Sequence, residues 1–277
     1  MRRRGSMAAM AGPATIVAGI LISAIVLVSI FAPIAAPYDP DREELSSSLA
    51  PPSSAHLLGT DRLGRDLASR LAYGGRTTLL SALLVVAIST AVGTALGLVA
   101  GYRGGWVDSL LSRAFDVLLA FPALLLALVV AAAFGRGIEN AIASLSVVYV
   151  PMITRLVRSA CLVERKLPYV EAGRALGYSS ARIMFRHILP NVAPLLLVQV
   201  AIDFGYSILD LAAMSFLGLG VQPPVSDWGA MLADARDSLL VAPRLALAPG
   251  LAIMIVVVSF NLFGDGLKES FERRRRR

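Results

Sequence analysis

The sequence predicts an all-α chain that crosses a membrane six times. Three observations carry that expectation. Of the 277 residues, 56% are hydrophobic and only 16% charged, whereas a soluble domain carries about 25% charged residues. Mean hydropathy is +0.71. Several apolar runs reach the roughly 20 residues that a helix needs to cross hydrocarbon. The net charge of +7 and pI near 10.1 would suit nucleic acid. That class is excluded because the basic residues cluster beside apolar segments rather than along one soluble face. The lone cysteine, Cys161, allows neither an internal disulfide nor a cysteine-based metal cage, and reads as a packing residue.

The first apolar run, Thr15 to Ala35, follows Arg2-Arg3-Arg4. It exceeds the 7–15 apolar residues of an ordinary signal peptide, so it reads as an uncleaved span. The others are Thr77 to Val99, Leu111 to Phe134, Ile138 to Val157, Ala193 to Phe216 and Leu245 to Phe263. Pro122 and Pro151 fall inside spans, where bends rather than breaks are expected. Six crossings put both ends on one side. The arginines at 2–4 and 273–277 make that side cytoplasmic by the positive-inside rule, and the same placement puts 18 of the 26 basic residues inside. The chain then divides into a cytoplasmic start (1–14), the first span (15–35), an outer loop (36–76), a five-helix core (77–264) with a cytoplasmic loop at 158–192, and a basic tail (265–277) that can rest on anionic headgroups.

The first half of the outer loop is rich in Pro, Ser and acid and reads as extended. In the second half Thr60 can cap a helix whose Leu63, Leu67 and Leu71 form one apolar stripe. Such a helix would lie on the membrane surface and feed the second span. Asp61, Arg62, Arg65 and Asp66 are its candidates for touching a partner outside, and a packed connector is the plain alternative. Trp228, suited to the headgroup region, joins them from the last outer loop. Within the second span, Gly93, Gly97 and Gly101 recur every four residues and would let another helix approach closely.

Asp203 and Asp210 lie in the fifth span, nearly two turns apart and on one face. A carboxylate at bilayer depth costs about 3 kcal/mol or more unless it faces water or a partner. They can line a solute path, with Ser207 and Met214 beside them, or hydrogen-bond to neighbouring helices. A membrane-enzyme reading has no catalytic constellation to stand on. The sequence lacks G-x-x-x-x-G-K-[ST], H-E-x-x-H and G-x-S-x-G. His56 and His187 fall on opposite sides and cannot share a metal.

The polar stretch EAGRALGYSSARIMFRHILP, Glu171 to Pro190, separates two apolar segments. It resembles the EAA loop of ABC-importer permeases: Glu-Ala-Ala, three residues, Gly, nine residues, Ile, one residue, Leu-Pro. Gly173 replaces the second Ala and His187 the Ile. Three further stretches are similar to the dipeptide, oligopeptide and nickel importer subfamily, C-type: LGTDRLGRDLASR from Leu58, SFLGLGVQPPVSDWGAML from Ser215, and FNLFGDGL from Phe260.

The resemblance implies a type I ABC-importer permease fold in a bacterial inner membrane. It implies a heterodimer with a homologous second permease, two ATP-binding subunits inside, an extracytoplasmic solute-binding protein outside, and no nucleic acid. ATP and Mg would sit on the partner subunits, leaving this chain without cofactor, metal or catalytic role. Glu171, Ala172, Gly173, Arg174, Ala175, Leu176, Gly177 and Tyr178 would meet the ATPase. Glu171 would cap or hydrogen-bond at the start of the loop helix, Gly173 and Gly177 would permit close approach, and Pro190 would stop that helix before the fifth span. The solute would be a dipeptide or oligopeptide, with nickel chelates or glutathione as alternatives. A cation-coupled secondary transporter using Asp203 and Asp210 would explain the acids but leave the loop pattern to chance.

Overall fold

The computed structural model describes residues 12–275, so Arg2–Arg4, Arg276 and Arg277 lie outside the described residues. Among those described, the chain is helical and no sheet forms; Thr60 and Asp66 make an isolated bridge.

Helix α3, Leu67–Arg103, sets the long axis. Its 37 residues amount to about 55 Å of helix at 1.5 Å per residue, more than the ~30 Å of hydrocarbon. It starts where the Asp66 side chain accepts from the Ser69 backbone N–H, and stops at Gly104, whose φ of +68° suits glycine. Helix α6, Ile138–Glu164, packs along it. The glycine stripe makes the approach. A Cβ on Gly93 would lie 2.7 Å from Ile153, one on Gly97 2.7 Å from the Thr154 carbonyl, and one on Gly101 2.7 Å from Cys161. The paired numbers rise together, so α3 and α6 run parallel, and the chain between them must return across the body.

Helices α4 (Gly105–Leu119) and α5 (Ala123–Phe134) make that return. Near its start α4 is tied to the far end of α6 by a bidentate Asp108–Arg158 pair. After α5, the Gly137 N–H donates to the Leu219 carbonyl at the opposite end. The expected single helix from Leu111 to Phe134 is therefore corrected. The crossing is broken, with a 91° bend between α4 and α5. Pro122 stands as N-cap of α5. Its ring and missing N–H break the helix here, whereas Pro151 is absorbed inside α6. With this pair taken as one crossing, the described residues hold six helical segments long and apolar enough to cross a membrane.

Helix α1, Pro13–Ile30, is followed by the short α2, Ala32–Ala35. Helices α7 (Pro168–Ala175) and α8 (Ser180–Ile183) form the polar loop, and α9 (Leu189–Phe216), α10 (Trp228–Ala235) and α11 (Arg244–Arg275) complete the body. Gly205 faces Phe260, and Gly264 faces Ala201 and Ile202, so α9 and α11 are antiparallel. Gly266 meets Thr15 of α1 in the same sense. Both described ends therefore lie on the side of the Glu171 loop.

Two more expectations need correction. Thr60 caps no helix. Its hydroxyl donates to the Ser47 carbonyl and accepts from Ala50 N–H, and residues 60–66 form a tight loop. The Leu stripe does not lie on a membrane surface, because Leu67 is buried in the main core and Leu71 packs against it. Nor does Pro190 stop the loop helix. A π-helical turn at Met184–Ile188 joins α8 to α9, and Ser180–Phe216 runs as one 37-residue helix. The wider π turn moves carbonyls away from where the proline ring would clash, so the axis continues.

Candidate functional site

The polar loop is shaped by its glycines. Pro168 opens α7 at its first position, where a missing N–H costs nothing. At the other end Gly177 adopts φ +76°, Gly177 N–H donates to the Arg174 carbonyl, and Tyr178 N–H reaches the Gly173 carbonyl at 3.0 Å. That pair of bonds closes the helix end only when the residue after the cap is left-handed. Ser179 then caps α8 by accepting from Arg182 N–H.

One face of α7 is sewn to the body. Val170 is buried in a cluster with Leu98, Val157, Cys161, Ile183 and Ile188. Tyr169 donates to Glu164, and burial together with that bond pushes its phenol up to about 12. Tyr178 stacks on His187 at 5.5 Å, with the Arg182 guanidinium 4.1 Å from its ring centre. The other face is open. Glu171, Ala172, Arg174, Ala175 and Gly177 are exposed, and Leu176 presents 70% of its surface.

Two sequence-based roles change here. Glu171 lies in the first turn and makes no capping bond; Leu167 is the N-cap. Gly173 turns inward, where a Cβ would sit 3.4 Å from the Tyr178 ring, while Gly177 has nothing within 4 Å. Gly177 alone of the two glycines belongs to the open face.

The continuous α8–α9 helix carries the two acids. Asp203 is 3% exposed. One of its oxygens accepts from Gln199 Nε2 at 2.8 Å, and the other is buried with no partner among the described residues. Asp210, half-buried, accepts from the Tyr149 hydroxyl of α6 at 2.8 Å. Ser207 is buried and donates to the Phe204 carbonyl of its own helix. Met214 is fully buried in the main core and lines no open path within this chain. Sequence reasoning missed Gln199, Tyr149 and Tyr206. Gln199 was findable, one turn before Asp203, whereas Tyr149 arrives from 61 residues away. Tyr206 is exposed with Leu195 and Leu209 on a stripe whose Gln199 and Ile202 are half-buried, an unusual place for a tyrosine at mid-helix.

At the opposite end of the body the outer-partner candidates are mostly internal. Asp61 accepts from Arg65 Nε at 2.7 Å, and Asp66 accepts from Ser69 and pairs with His56 at 2.9 Å. Trp228 is buried and donates to the Leu71 carbonyl. Asp227 caps α10 and accepts from Thr78 Oγ at 2.6 Å. Burial pushes its carboxyl above the usual range, against these bonds. Arg62 differs, reaching Asp237 at 2.8 Å from an exposed position.

Residues 93–277 match the family described as binding-protein-dependent transport system inner membrane component, and residues 10–52 match the N-terminal transmembrane domain of oligopeptide transport permease C. The chain is 42% identical over 257 residues to a dipeptide transport system permease protein of Alkalihalophilus pseudofirmus, covering 93% of this chain and 84% of that one. It is 41% identical over 261 residues to a glutathione transport system permease protein of Pectobacterium atrosepticum, covering 93% and 86%. A di/tripeptide transport system permease protein of Pseudomonas aeruginosa is 44% identical over 90% of this chain and 84% of its own length. Among solved structures, a chain of the MetNI methionine ABC transporter in inward-facing conformations superimposes with a TM-score of 0.58. It matches 70% of this chain and 93% of that one at 20% identity, a likeness of fold.

Proposed function

The chain belongs to the family of inner membrane components of binding-protein-dependent transport systems, and from that premise we propose that it is the peptide permease subunit of an ATP-driven importer. It forms half of a translocation path with a homologous second permease. It sits in a bacterial inner membrane with both ends cytoplasmic, meets ATP-binding subunits inside and a solute-binding protein outside, and performs no catalysis itself. Relatives named for dipeptide, di/tripeptide and glutathione transport favour short peptides as solute, glutathione being a peptide too.

The observation that carries the coupling role is the unbroken helix from Ser180 to Phe216. The open face at Glu171–Gly177 is joined by one capped turn to the helix that bears Asp203 and Asp210. A push on Leu176 therefore reaches the middle of the membrane without a hinge at Pro190. ATP binding would close the ATPase pair, move this loop, and swing α9 against its neighbours. Asp203 and Asp210 lie beside half-buried Gln199 and exposed Tyr206, where they would meet the amine of a peptide at the boundary with the second permease.

The test is reconstitution. Co-expression with the neighbouring ATPase and permease genes should yield one complex. In vesicles it should take up labelled dipeptide only with ATP and the binding protein. A chain that purifies alone and moves peptide on an ion gradient would establish the secondary-transporter reading instead.

A further inference from the structure

We propose that the cavity at the Asp61 end, on the opposite face from the polar loop, is a binding site for the zwitterion of a short peptide. The inference rests on the peptide reading above. The cavity holds about 390 Å³ and lies between the 61–65 loop, the start of α3, α10 and the start of α11. Its chemistry is graded with depth. Arg65 and Arg70 stand inside, their side chains 7% and 3% exposed. Asp234 and Asp237 stand at the mouth, well exposed, with Arg62 already paired to Asp237 at 2.8 Å. Leu67, Met231 and Leu245 supply an apolar wall.

Asp61, Asp234 and Asp41 balance the charges of the two arginines, but not all of their N–H donors are used among the described residues. Arg65 donates through Nε to Asp61 at 2.7 Å and through Nη2 to Asp234 at 3.4 Å. Arg70 makes a single hydrogen bond among the described residues, from Nη1 to the Pro40 carbonyl at a long 3.4 Å. Its nearest carboxylates, on Asp61, Asp234 and Asp41, lie at 3.6, 3.7 and 4.0 Å, beyond hydrogen-bond reach. A guanidinium has five donors, and buried ones are normally satisfied. Arg70 and the Nη1 of Arg65 thus offer a fork for a carboxylate inside the cavity.

A plain anion fits poorly, because it would have to pass the Asp234 carboxylate, Asp237 being paired with Arg62. A plain cation fits poorly too, because it would end against two guanidiniums. A molecule with a carboxylate at one end and an ammonium at the other satisfies both ends. Its carboxylate goes to Arg65 and Arg70, its ammonium stays near Asp234, and its side chains lie on the apolar wall.

The probe is dialanine, with N-acetyl-dialanine and dialanine amide as forms lacking one charge, and acetate as a plain anion. Binding is read by ligand-observed NMR on the complete importer in nanodiscs, without the solute-binding protein. Dialanine should bind, and each capped form and acetate should bind at least about tenfold more weakly, the loss expected for one charge-assisted contact. Arg70→Gln should weaken dialanine by a similar factor. Asp234→Asn keeps an oxygen for Arg65 and should weaken dialanine without weakening N-acetyl-dialanine. Equal binding of the capped forms, acetate binding as well as dialanine, or no dialanine binding to the wild-type complex would each overturn the site. ATP-driven uptake is decided separately in vesicles, so loss of this site would leave the transport reading standing.

Discussion

The Asp227 end and the Glu171 end of the helical body are both rich in polar residues, and they use them in opposite ways. At the Asp227 end the charges turn inward. Asp61, Asp66, Arg65, Arg70 and Asp227 are all buried; Asp61 and Asp66 find partners nearby in the chain, while Arg65, Arg70 and Asp227 reach across elements far apart in sequence. At the Glu171 end the polar residues of α7 turn outward, and an exposed leucine stands among them. Buried polar groups demand partners, so the first end is mostly self-paired construction, with an opening at the Arg65–Arg70 cavity. An apolar knob ringed by small and charged residues is a surface left for another chain. The comparison teaches that polarity alone does not mark a contact surface; the direction of the side chains does.

The hardest blow to this contrast should come at the closed end. Trp228 fills the space over Gly74 and Gly75 and holds the Leu71 carbonyl. Trp228→Ala should cost about 3–5 kcal/mol, as for other buried aromatic residues. Thermal unfolding in detergent should shift down sharply, while transport per folded complex stays near normal. A wild-type melting temperature would mean that this end is not the keystone described.

At the open end the expected pattern reverses. Leu176→Ala and Glu171→Ala remove exposed groups, and surface changes move stability by no more than about 0.5 kcal/mol. Uptake should nevertheless fall about tenfold or more, as for loss of a contact at the centre of an interface. Gly177→Val adds a second effect, since φ +76° is closed to a β-branched residue, and the turn would be strained by about 1–3 kcal/mol. Co-purification of the ATPase should drop in all three variants. Full ATPase binding with normal uptake in Leu176→Ala would remove the open face from the coupling surface.

Much of this division was legible in the sequence, and the gaps have physical causes. The crossings showed themselves because bilayer thickness fixes the length of an apolar run. The glycine stripe of α3 was readable because a four-residue spacing is local, and the structure sets Gly93, Gly97 and Gly101 against α6. The break at Pro122 was not readable against Pro151, because whether a proline bends or breaks a helix depends on neighbours that can satisfy the freed groups. The Thr60 stripe misled because a period of four fits a surface helix as well as a buried helix start. What decided it was Asp66, a better cap placed just before Leu67. Arg65 looked free to touch a partner because one of its carboxylate neighbours, Asp234, comes 169 residues later.

A smaller effect is expected midway between the ends. Asp203→Asn keeps an oxygen for Gln199 and removes only the capacity for charge, so assembly and melting temperature should hold. Uptake of peptides with a free amine should fall several-fold, about 1 kcal/mol of transition-state stabilisation. Asp210→Asn, nearer the Phe216 end and bonded to Tyr149, should lower uptake more. If instead either variant assembles poorly while transport per complex is unchanged, these acids belong to the structure and not to the path.

The finest test is Arg62, which breaks the pattern of its own end. Its pair with Asp237 has side chains 54% and 73% exposed, so solvent screens it. Such pairs are worth about 0–1 kcal/mol. Arg62→Ala should therefore leave the melting temperature within about 2 °C, unlike its neighbours Arg65 and Arg70. If the residue touches only Asp237, uptake should not change. If it reaches the solute-binding protein, uptake should fall a few-fold at low binding-protein concentration and recover when that protein is raised, because a rim charge acts mainly on the rate of association. The fall should shrink with added salt. A fall in uptake that neither excess binding protein nor salt alters would place Arg62 with the buried network after all, and would erase the distinction between the rim of this end and its interior.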